Sequence, residues 1–229
     1  MKSETGLFVN MPQDNKKKAL EVIRILEKEY PGSKIALDYQ NPLELLVSTI
    51  LSAQCTDRQV NIVTKTLFKK YKTVKDYACA DLKEFEQDIK STGFYRNKAK
   101  NIIESCKIIE KKYNGKVPDT MDEILTLPGV ARKTANIVLS NAYGVIVGIA
   151  VDTHVKRLSQ RLGFSKNENP DKIEQDLMEL FPKKEWFKLN YLLIEHGRKI
   201  CQAKKPLCPE CPVKKLCPSA KKFYKNIKP

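Results

Sequence analysis

Four cysteines stand within seventeen positions near the end of this 229-residue sequence: Cys201, Cys208, Cys211 and Cys217. Four thiolates at such short range can bind a metal ion or an iron–sulfur cluster. Structural zinc sites usually combine two short Cys pairs, whereas here only Cys208 and Cys211 form one. The spacing therefore favours an iron–sulfur cluster and leaves a structural zinc ion as the alternative.

Neither end of the chain, nor its middle, shows a signal for export or membrane insertion. The N-terminus has no continuous apolar segment, and Glu4 and Asp14 argue against a transit peptide. The longest apolar run, Ala142–Val151, has ten residues, whereas about 20 are needed to span a bilayer. We therefore expect a cytoplasmic, nucleoid-associated protein with no targeting signal, in a reducing compartment that disfavours disulfides.

The chain is strongly basic, with 42 lysines and arginines against 27 acidic residues and a formal net charge of +15. This excess favours a polyanionic partner such as nucleic acid, although a solvated lysine-rich surface would give the same count. Four lysines lie between the clustered cysteines: Lys204, Lys205, Lys214 and Lys215. A metal that fixed these loops would order a basic surface, which suits DNA contact better than electron transfer.

Most of the sequence is typical of helices, because apolar residues recur at helical spacing between clear start signals. These signals are N-cap residues, capping boxes and prolines at the first helical position. They occur at Asn41-Pro42, Thr56, Asp81, Thr120 and Asn169-Pro170. Only Val145–Val151 resembles a strand, and it has no partner elsewhere in the sequence. We predict an all-α fold.

A Pro-Gly turn separates two of the predicted helices, in the segment Leu127-Pro-Gly-Val-Ala-Arg-Lys-Thr-Ala135. Glycine lets the backbone approach a ligand closely, and the N–H groups at the start of the next helix can bind phosphate. The segment at about 120–142 is therefore a candidate helix-hairpin-helix that grips a nucleic-acid backbone. An ordinary turn between helices fits the pattern equally well.

Two charged residues in this region could perform chemistry. Lys133 is in the first turn of the second helix, where the helix dipole and Arg132 disfavour an ammonium. A neutral lysine is a nucleophile that can form a Schiff base, although a phosphate-contacting or solvated lysine fits as well. Asp152 begins the following helix. It can serve as an N-cap and can also stabilise a developing cation.

Together these motifs resemble the endonuclease III family of base-excision DNA glycosylases. The resemblance extends to Leu51-Ser-Ala-Gln-Cys-Thr-Asp57 and Thr92-Gly-Phe-Tyr-Arg-Asn-Lys-Ala99, and covers residues from about 40 to 217. It implies two helical domains flanking a DNA-binding cleft. Residues 35–146 would form a six-helix domain with the hairpin, and residues 1–34 and 147–217 an iron–sulfur cluster domain. Residues 218–229 would form a basic C-terminal tail.

The resemblance also implies a role for individual residues. Lys133 matches the family's nucleophile, Asp152 its catalytic aspartate, and the four clustered cysteines its [4Fe-4S] ligands. Gln54 and Phe94 match the positions that enter the duplex, the second of which is often leucine in the family. Ala131 replaces a second hairpin glycine, and we expect it to be tolerated because φ can be negative there. The further predicted DNA contacts are Gly129, Val130, Ala131, Arg132, His154, Lys204, Lys205, Lys214 and Lys215.

The implied activity is that of a bifunctional DNA glycosylase and AP lyase of base excision repair. Such an enzyme would remove oxidised pyrimidines from double-stranded DNA and cleave 3′ to the abasic site by β-elimination. We expect it to be a monomer and to have no membrane partner. The alternatives are a monofunctional mismatch glycosylase, which generally lacks a lysine at the position of Lys133, and a non-catalytic helix-hairpin-helix module with a structural metal.

Overall fold

The computed structural model describes residues 13–223, which form helices and loops with no β-strand among them. The all-α prediction is confirmed, and Val145–Val151 is an irregular connection rather than a strand. The described residues divide into two compact units, residues 34–150 and residues 13–33 with 151–223. Residues 1–12 of the predicted cluster domain and residues 224–229 of the predicted tail lie outside the described residues.

The unit of residues 34–150 contains seven helices among the described residues. They are α2 (Pro42–Leu51), α3 (Asp57–Lys70), α4 (Val74–Ala78), α5 (Leu82–Asp88), α6 (Tyr95–Tyr113), α7 (Met121–Ile124) and α8 (Arg132–Ala142). A 3₁₀ turn, Lys90–Thr92, connects α5 to α6. Helix α8 packs against α2, and α6 packs against α4 and α5.

One apolar core holds this unit together, with residues from every one of its helices. The long helix α6 contributes Ile102 and Ile109, and α2 contributes Leu45 and Leu51, all nearly inaccessible to water. Each such side chain stabilises the folded state by about 1.5–3 kcal/mol relative to leaving it exposed. The core fixes α2, α6 and α8 as a rigid support for the loops between them.

The predicted start signals cap helices in the structure. The side chains of Asn41, Thr56, Asp81 and Thr120 accept hydrogen bonds from backbone N–H groups at the starts of α2, α3, α5 and α7. These bonds satisfy donors that have no partner within the helix. Helix α4 was not predicted, although Thr73 and Asp76 form a full capping box at its start.

The second unit combines the N-terminal helix with the C-terminal part of the chain. Its helices are α1 (Gln13–Glu29), α9 (Thr153–Leu162), α10 (Pro170–Leu180), α11 (Lys183–Lys199) and α12 (Ala220–Phe223). Helix α11 packs against both α9 and α1. A Cβ on Gly197 would lie 3.0 Å from His154 and Arg157 side-chain atoms, so this glycine permits the close approach of α11 to α9.

Within residues 13–223, no helix has the length and apolar character required to cross a lipid bilayer.

Candidate functional site

The predicted hairpin is a tight turn from Leu127 to Val130, between α7 and α8. The Val130 N–H donates to the Leu127 carbonyl oxygen across 3.1 Å. Gly129 has φ +77°, which the third position of a type II turn requires and glycine adopts without strain. The Ser105 hydroxyl of α6 donates to the Pro128 carbonyl across 2.8 Å. The turn is therefore fixed both by its own backbone and by α6.

Ala131 is the N-cap residue of α8, with φ −93° and ψ 170°. Alanine adopts a negative φ freely, so it fits where the family usually has a second glycine, as expected. No side chain forms an N-cap hydrogen bond at this helix, unlike at α2, α3, α9 and α10. The arrangement resembles that of helix N-termini that bind phosphate through backbone N–H groups.

Lys133 lies in the first turn of α8, two residues after the N-cap. Its side chain is exposed, while that of Arg132 is half-buried. The amine of Lys133 is therefore accessible from solvent, as a nucleophile that attacks a macromolecular substrate must be.

Gln54 and Phe94 share an unusual backbone conformation. Their φ angles are +52° and +48°, a left-handed conformation that costs on the order of 1–3 kcal/mol at a non-glycine residue. Both side chains are exposed, that of Phe94 by 63%. Both residues line one pocket together with Asn101 and Gly129. Strain at exposed positions is found mainly at functional sites, which makes this pocket a candidate contact surface.

Asp152 is the N-cap of α9 in the second unit. One oxygen, Oδ1, accepts hydrogen bonds from the N–H groups of His154 and Val155, both at 2.8 Å. The other oxygen, Oδ2, lies 3.4 Å from Nδ1 of His154. Two backbone donors hold the carboxylate in one orientation, and the side chain keeps an exposure of 18%. The capping role foreseen for this residue is present, and the carboxylate is still partly accessible.

The four clustered cysteines line one small cavity in the same unit. The cavity is mostly apolar, with Leu162, Ile200 and Phe223 among its lining residues. No carboxylate side chain is among the described residues that line it. A set of four soft sulfur ligands suits iron–sulfur clusters or zinc, and not magnesium or calcium.

Nowhere in the described part of the chain is a group of three or more His, Cys, Asp or Glu side chains arranged to hold a single metal ion. This includes the four cysteines, which line one cavity without converging on a single ion. Burial raises the pKa of Cys208, Cys211 and Cys217, to about 11 for Cys211. Since metal ligands are thiolates, assembly of a centre here releases protons.

Two arginines of α9 hold the first part of the cysteine segment. Arg161 donates to the carbonyl oxygens of Gln202 and Ala203, both at 2.8 Å, and one of its nitrogens lies 3.4 Å from Sγ of Cys201. Arg157 donates to the Cys201 carbonyl across 3.2 Å. These bonds satisfy carbonyl groups that follow the end of α11. Sequence reasoning missed both arginines because the contacts join residues about forty positions apart.

A buried hydrogen-bonded chain connects α1 to the cysteine cavity. The hydroxyl of Tyr30 lies 2.9 Å from Nδ1 of His196, and Nε2 of His196 lies 3.5 Å from Sγ of Cys211. Burial lowers the pKa of His196 to about 4, so the ring is neutral at physiological pH. Only one nitrogen of a neutral imidazole carries a proton. When Cys211 is a thiolate, Nε2 must donate to sulfur, and Nδ1 then accepts from Tyr30.

The four lysines between the cysteines are not equivalent. Lys204, Lys205 and Lys215 are exposed. Lys214 is half-buried, lines the cysteine cavity and donates to the Pro209 carbonyl across 2.6 Å. Lys214 therefore stabilises its own loop, and the three exposed lysines are the better candidates for contact with an external anion.

The helices and the hairpin define a class of protein. Residues 47–183 match the family described as HhH-GPD superfamily base excision DNA repair protein. Endonuclease III of Synechocystis sp. is 55% identical to the chain over 205 residues, which cover 90% of this chain and 94% of that protein. The chain belongs to the HhH-GPD superfamily and, within it, to the endonuclease III family.

Solved structures give the same result. The chain is similar to a non-covalent endonuclease III–DNA complex, with a TM-score of 0.88, 47% identity and coverage of 92% and 99% of the two chains. It is also similar to a trapped endonuclease III–DNA covalent intermediate, with a TM-score of 0.87, 48% identity and coverage of 90% and 97%. The predicted family is thus confirmed.

Proposed function

We propose that this chain removes oxidised pyrimidines from duplex DNA and then cleaves the strand 3′ to the abasic site. Its class, a bifunctional DNA glycosylase and AP lyase, follows from its membership of the endonuclease III family. The observation that carries the proposal is the accessible Lys133 at the start of α8, directly after the hairpin. A solved relative is described as a trapped covalent intermediate with DNA, which is what a nucleophilic amine would form.

The first step is extrusion of the damaged nucleotide, because the enzyme cannot reach the C1′ atom and its bond to the base while the base is stacked in the duplex. Gln54 and Phe94 are suited to fill the space that the base leaves, since both are exposed and lie at the same pocket. Extrusion costs a few kcal/mol and costs less for a poorly stacked lesion. Oxidation of a pyrimidine ring weakens its stacking, which favours such bases as substrates.

The second step is displacement of the base by Lys133. The unprotonated form of its amine is the one that donates an electron pair to C1′ of the sugar, and the N-glycosidic bond breaks, with its electron pair leaving on the base. The carboxylate of Asp152 stabilises the positive charge that develops on the sugar. Opening of the sugar ring gives an imine between Lys133 and C1′. Loss of a proton from C2′ then expels the 3′-phosphate, which is β-elimination.

The four cysteines would hold a [4Fe-4S] cluster, and the cluster would supply a rigid anchor for their loops. The support is the set of four thiols around one cavity, with Arg157 and Arg161 fixing the adjacent backbone. Between these ligands the exposed Lys204, Lys205 and Lys215 would contact DNA phosphates. We propose double-stranded DNA as the partner of a monomeric enzyme.

The hairpin would hold the other part of the DNA backbone. The turn formed by Gly129, Val130 and Ala131 lies beside the N-terminus of α8, where first-turn N–H groups have no partner within the helix, and Arg132 adds a positive charge there. His154, next to Asp152, would complete the contacts in the second unit. Contacts of this type are independent of sequence, as repair of scattered lesions requires.

Borohydride reduction tests the proposal, because it converts an imine between enzyme and DNA into a stable bond. Wild-type protein should form a covalent adduct with duplex DNA that carries an abasic site. Lys133→Gln should form none and should not cleave the strand, while DNA binding persists. The matched control is Lys111→Gln, which changes an exposed lysine at the far end of α6. An adduct with Lys133→Gln would remove the nucleophile assignment.

Base release in the absence of any adduct would instead favour a monofunctional mismatch glycosylase. DNA binding without either reaction would favour a non-catalytic module with a structural metal.

A further inference from the structure

Lys98 is a buried lysine on α6, with only 4% of its surface exposed. Its ammonium nitrogen donates to the carbonyl oxygen of Leu51 across 2.7 Å and to that of Thr92 across 2.8 Å. These two carbonyls are distant in sequence. A single amine therefore connects the segment after α2 with the segment before α6.

Each of the two carbonyls lies shortly before a strained, exposed residue. Leu51 is the last residue of α2, three positions before Gln54, and Thr92 ends the 3₁₀ turn, two positions before Phe94. Phe94 is itself the N-cap residue of α6, and its carbonyl accepts from the N–H of Lys98 across 3.2 Å. Lys98 therefore lies one helical turn after Phe94 and reaches back to both segments.

Burial of this lysine needs a reason, because desolvation of an ammonium is costly and lowers the pKa of Lys98. The carbonyl of Leu51 is at the C-terminus of α2, where the helix dipole is negative and carbonyls lack helical partners. The 3₁₀ turn has a further bond at the surface, from α3, where the Gln59 side chain donates to Ser91 Oγ across 2.9 Å. Lys98 supplies the buried bonds between this turn and the end of α2.

We propose that Lys98 is a positioning residue, which holds Gln54 and Phe94 at a fixed spacing so that both side chains enter the duplex together. Lys98 touches neither the sugar nor the damaged base in this role. It acts through the two backbone segments and maintains left-handed conformations that neither residue would adopt on its own. The inference rests on the proposed function, in which these side chains replace the extruded base.

A role in positioning predicts an effect that depends on the substrate. If Lys98 only stabilised the fold, its loss would reduce activity equally on every DNA. If it positions the two inserting side chains, its loss should matter most where extrusion is difficult. A lesion in a fully paired duplex must be unstacked, whereas the same lesion in a single-nucleotide bulge is already partly extruded.

The experiment compares thymine glycol in these two contexts, under single-turnover conditions, for wild type, Lys98→Met and Lys98→Gln. Methionine has a similar length and no donor, and glutamine is shorter but retains an amide NH₂ that can donate. For Lys98→Met we expect base release from the paired duplex to fall about 30-fold, and from the bulge no more than about 3-fold. The rate of base release by Lys98→Gln from the paired duplex should lie between those of wild type and Lys98→Met. Lys111→Met removes the same charge from an exposed position of α6 and should behave as wild type.

The inference would be overturned if Lys98→Met lost the same factor in base-release rate on both substrates, or lost none. Thermal unfolding identifies a variant that fails to fold. If Lys98→Met fails to fold, the ratio of the rate loss on the paired duplex to that on the bulge is measured with Lys98→Gln. Failure of the proposed function is recognised separately, because wild-type protein would then release no thymine glycol from either duplex.

Discussion

A Cβ atom on Gly129 would lie 2.7 Å from the side-chain nitrogen of Asn101 and 2.9 Å from its Cβ. The hairpin backbone is thus in direct contact with α6 at a position that has room only for hydrogen. Gly129 also has a left-handed φ of +77°. Two separate physical reasons therefore require glycine at this point of the turn.

Gly129→Ala should lower the free energy of unfolding by about 2–4 kcal/mol, from backbone strain together with the clash. Affinity for duplex DNA should fall as well, because the turn must shift. Gly144→Ala is the control, since Gly144 has φ +67° and open space around its Cα. Urea denaturation should show a smaller loss of unfolding free energy for Gly144→Ala than for Gly129→Ala. Adding Asn101→Ala to Gly129→Ala should recover part of that difference. Equal losses of unfolding free energy at both glycines would show that the close contact with Asn101 does not affect stability.

Asp152→Asn should separate catalysis from folding. Asparagine caps helices nearly as well as aspartate, so the free energy of unfolding should change by less than about 0.5 kcal/mol. Base release should fall by about 100-fold or more, because no negative charge then stabilises the sugar cation. Asp81→Asn makes the same change at the N-cap of α5 and should leave base release unaltered. Normal base release by Asp152→Asn would reduce this residue to a helix cap.

Protein purified without exposure to air should contain about four irons per chain and show broad absorption at about 400 nm. Cys208→Ala should lose the iron and the absorption, because it removes one of the four thiols at the cavity. Cys79→Ala should retain both, since Cys79 is an exposed residue of the other unit. One zinc per chain and no iron, measured by mass spectrometry, would support the zinc alternative instead.

Tyr30→Phe should destabilise the second unit. The change leaves Nδ1 of the buried His196 without its hydroxyl partner, at a cost of about 1–3 kcal/mol in the free energy of unfolding. Tyr113→Phe removes a hydroxyl from an exposed contact of 3.4 Å and should cost much less. Chemical denaturation measures both. If the two changes had the same small effect, the Tyr30–His196 bond would contribute nothing to the anchoring of α1.

Neutralising Lys204 and Lys205 together should weaken binding to all duplexes alike. The slope of log affinity against log salt should become shallower by about one for each phosphate that the variant no longer neutralises. Lys111→Gln with Lys112→Gln removes the same charge from exposed positions of α6 and should change the slope little. Lys214→Gln should reduce stability rather than the slope, because Lys214 already bonds to its own loop. An unaltered slope for the first pair would mean that these lysines are only solvated.

The local features of the fold could be predicted from the sequence, because helix starts depend on residues next to each other. The caps at Asn41, Thr56, Asp81 and Asp152 were all predicted, and each accepts backbone N–H groups in the structure. The hairpin turn was predicted for the same reason. The β-branched run Val145–Val151 resembled a strand, but a strand needs a partner, and the described residues offer none.

The features that depend on distant contacts could not be predicted. Burial of Lys98 requires carbonyls up to 47 positions away, and the bond from Tyr30 to His196 spans 166 positions. Arg161 bonds to backbone beyond α11, which no local pattern indicates. The left-handed conformations of Gln54 and Phe94 were also missed, since side chains of these types usually avoid them.

The second unit is built from both ends of the chain, and this affects the order in which the protein can form during synthesis. Residues 34–150 contain all the partners of their own core and can fold while the rest of the chain is still being made. Helix α1 precedes this unit in the chain, yet its packing partners α10 and α11 follow it. The apolar face of α1, which includes Leu26, therefore remains unburied until α10 and α11 have been synthesised. During that interval this apolar face has no packing partner and can aggregate with other exposed apolar surfaces.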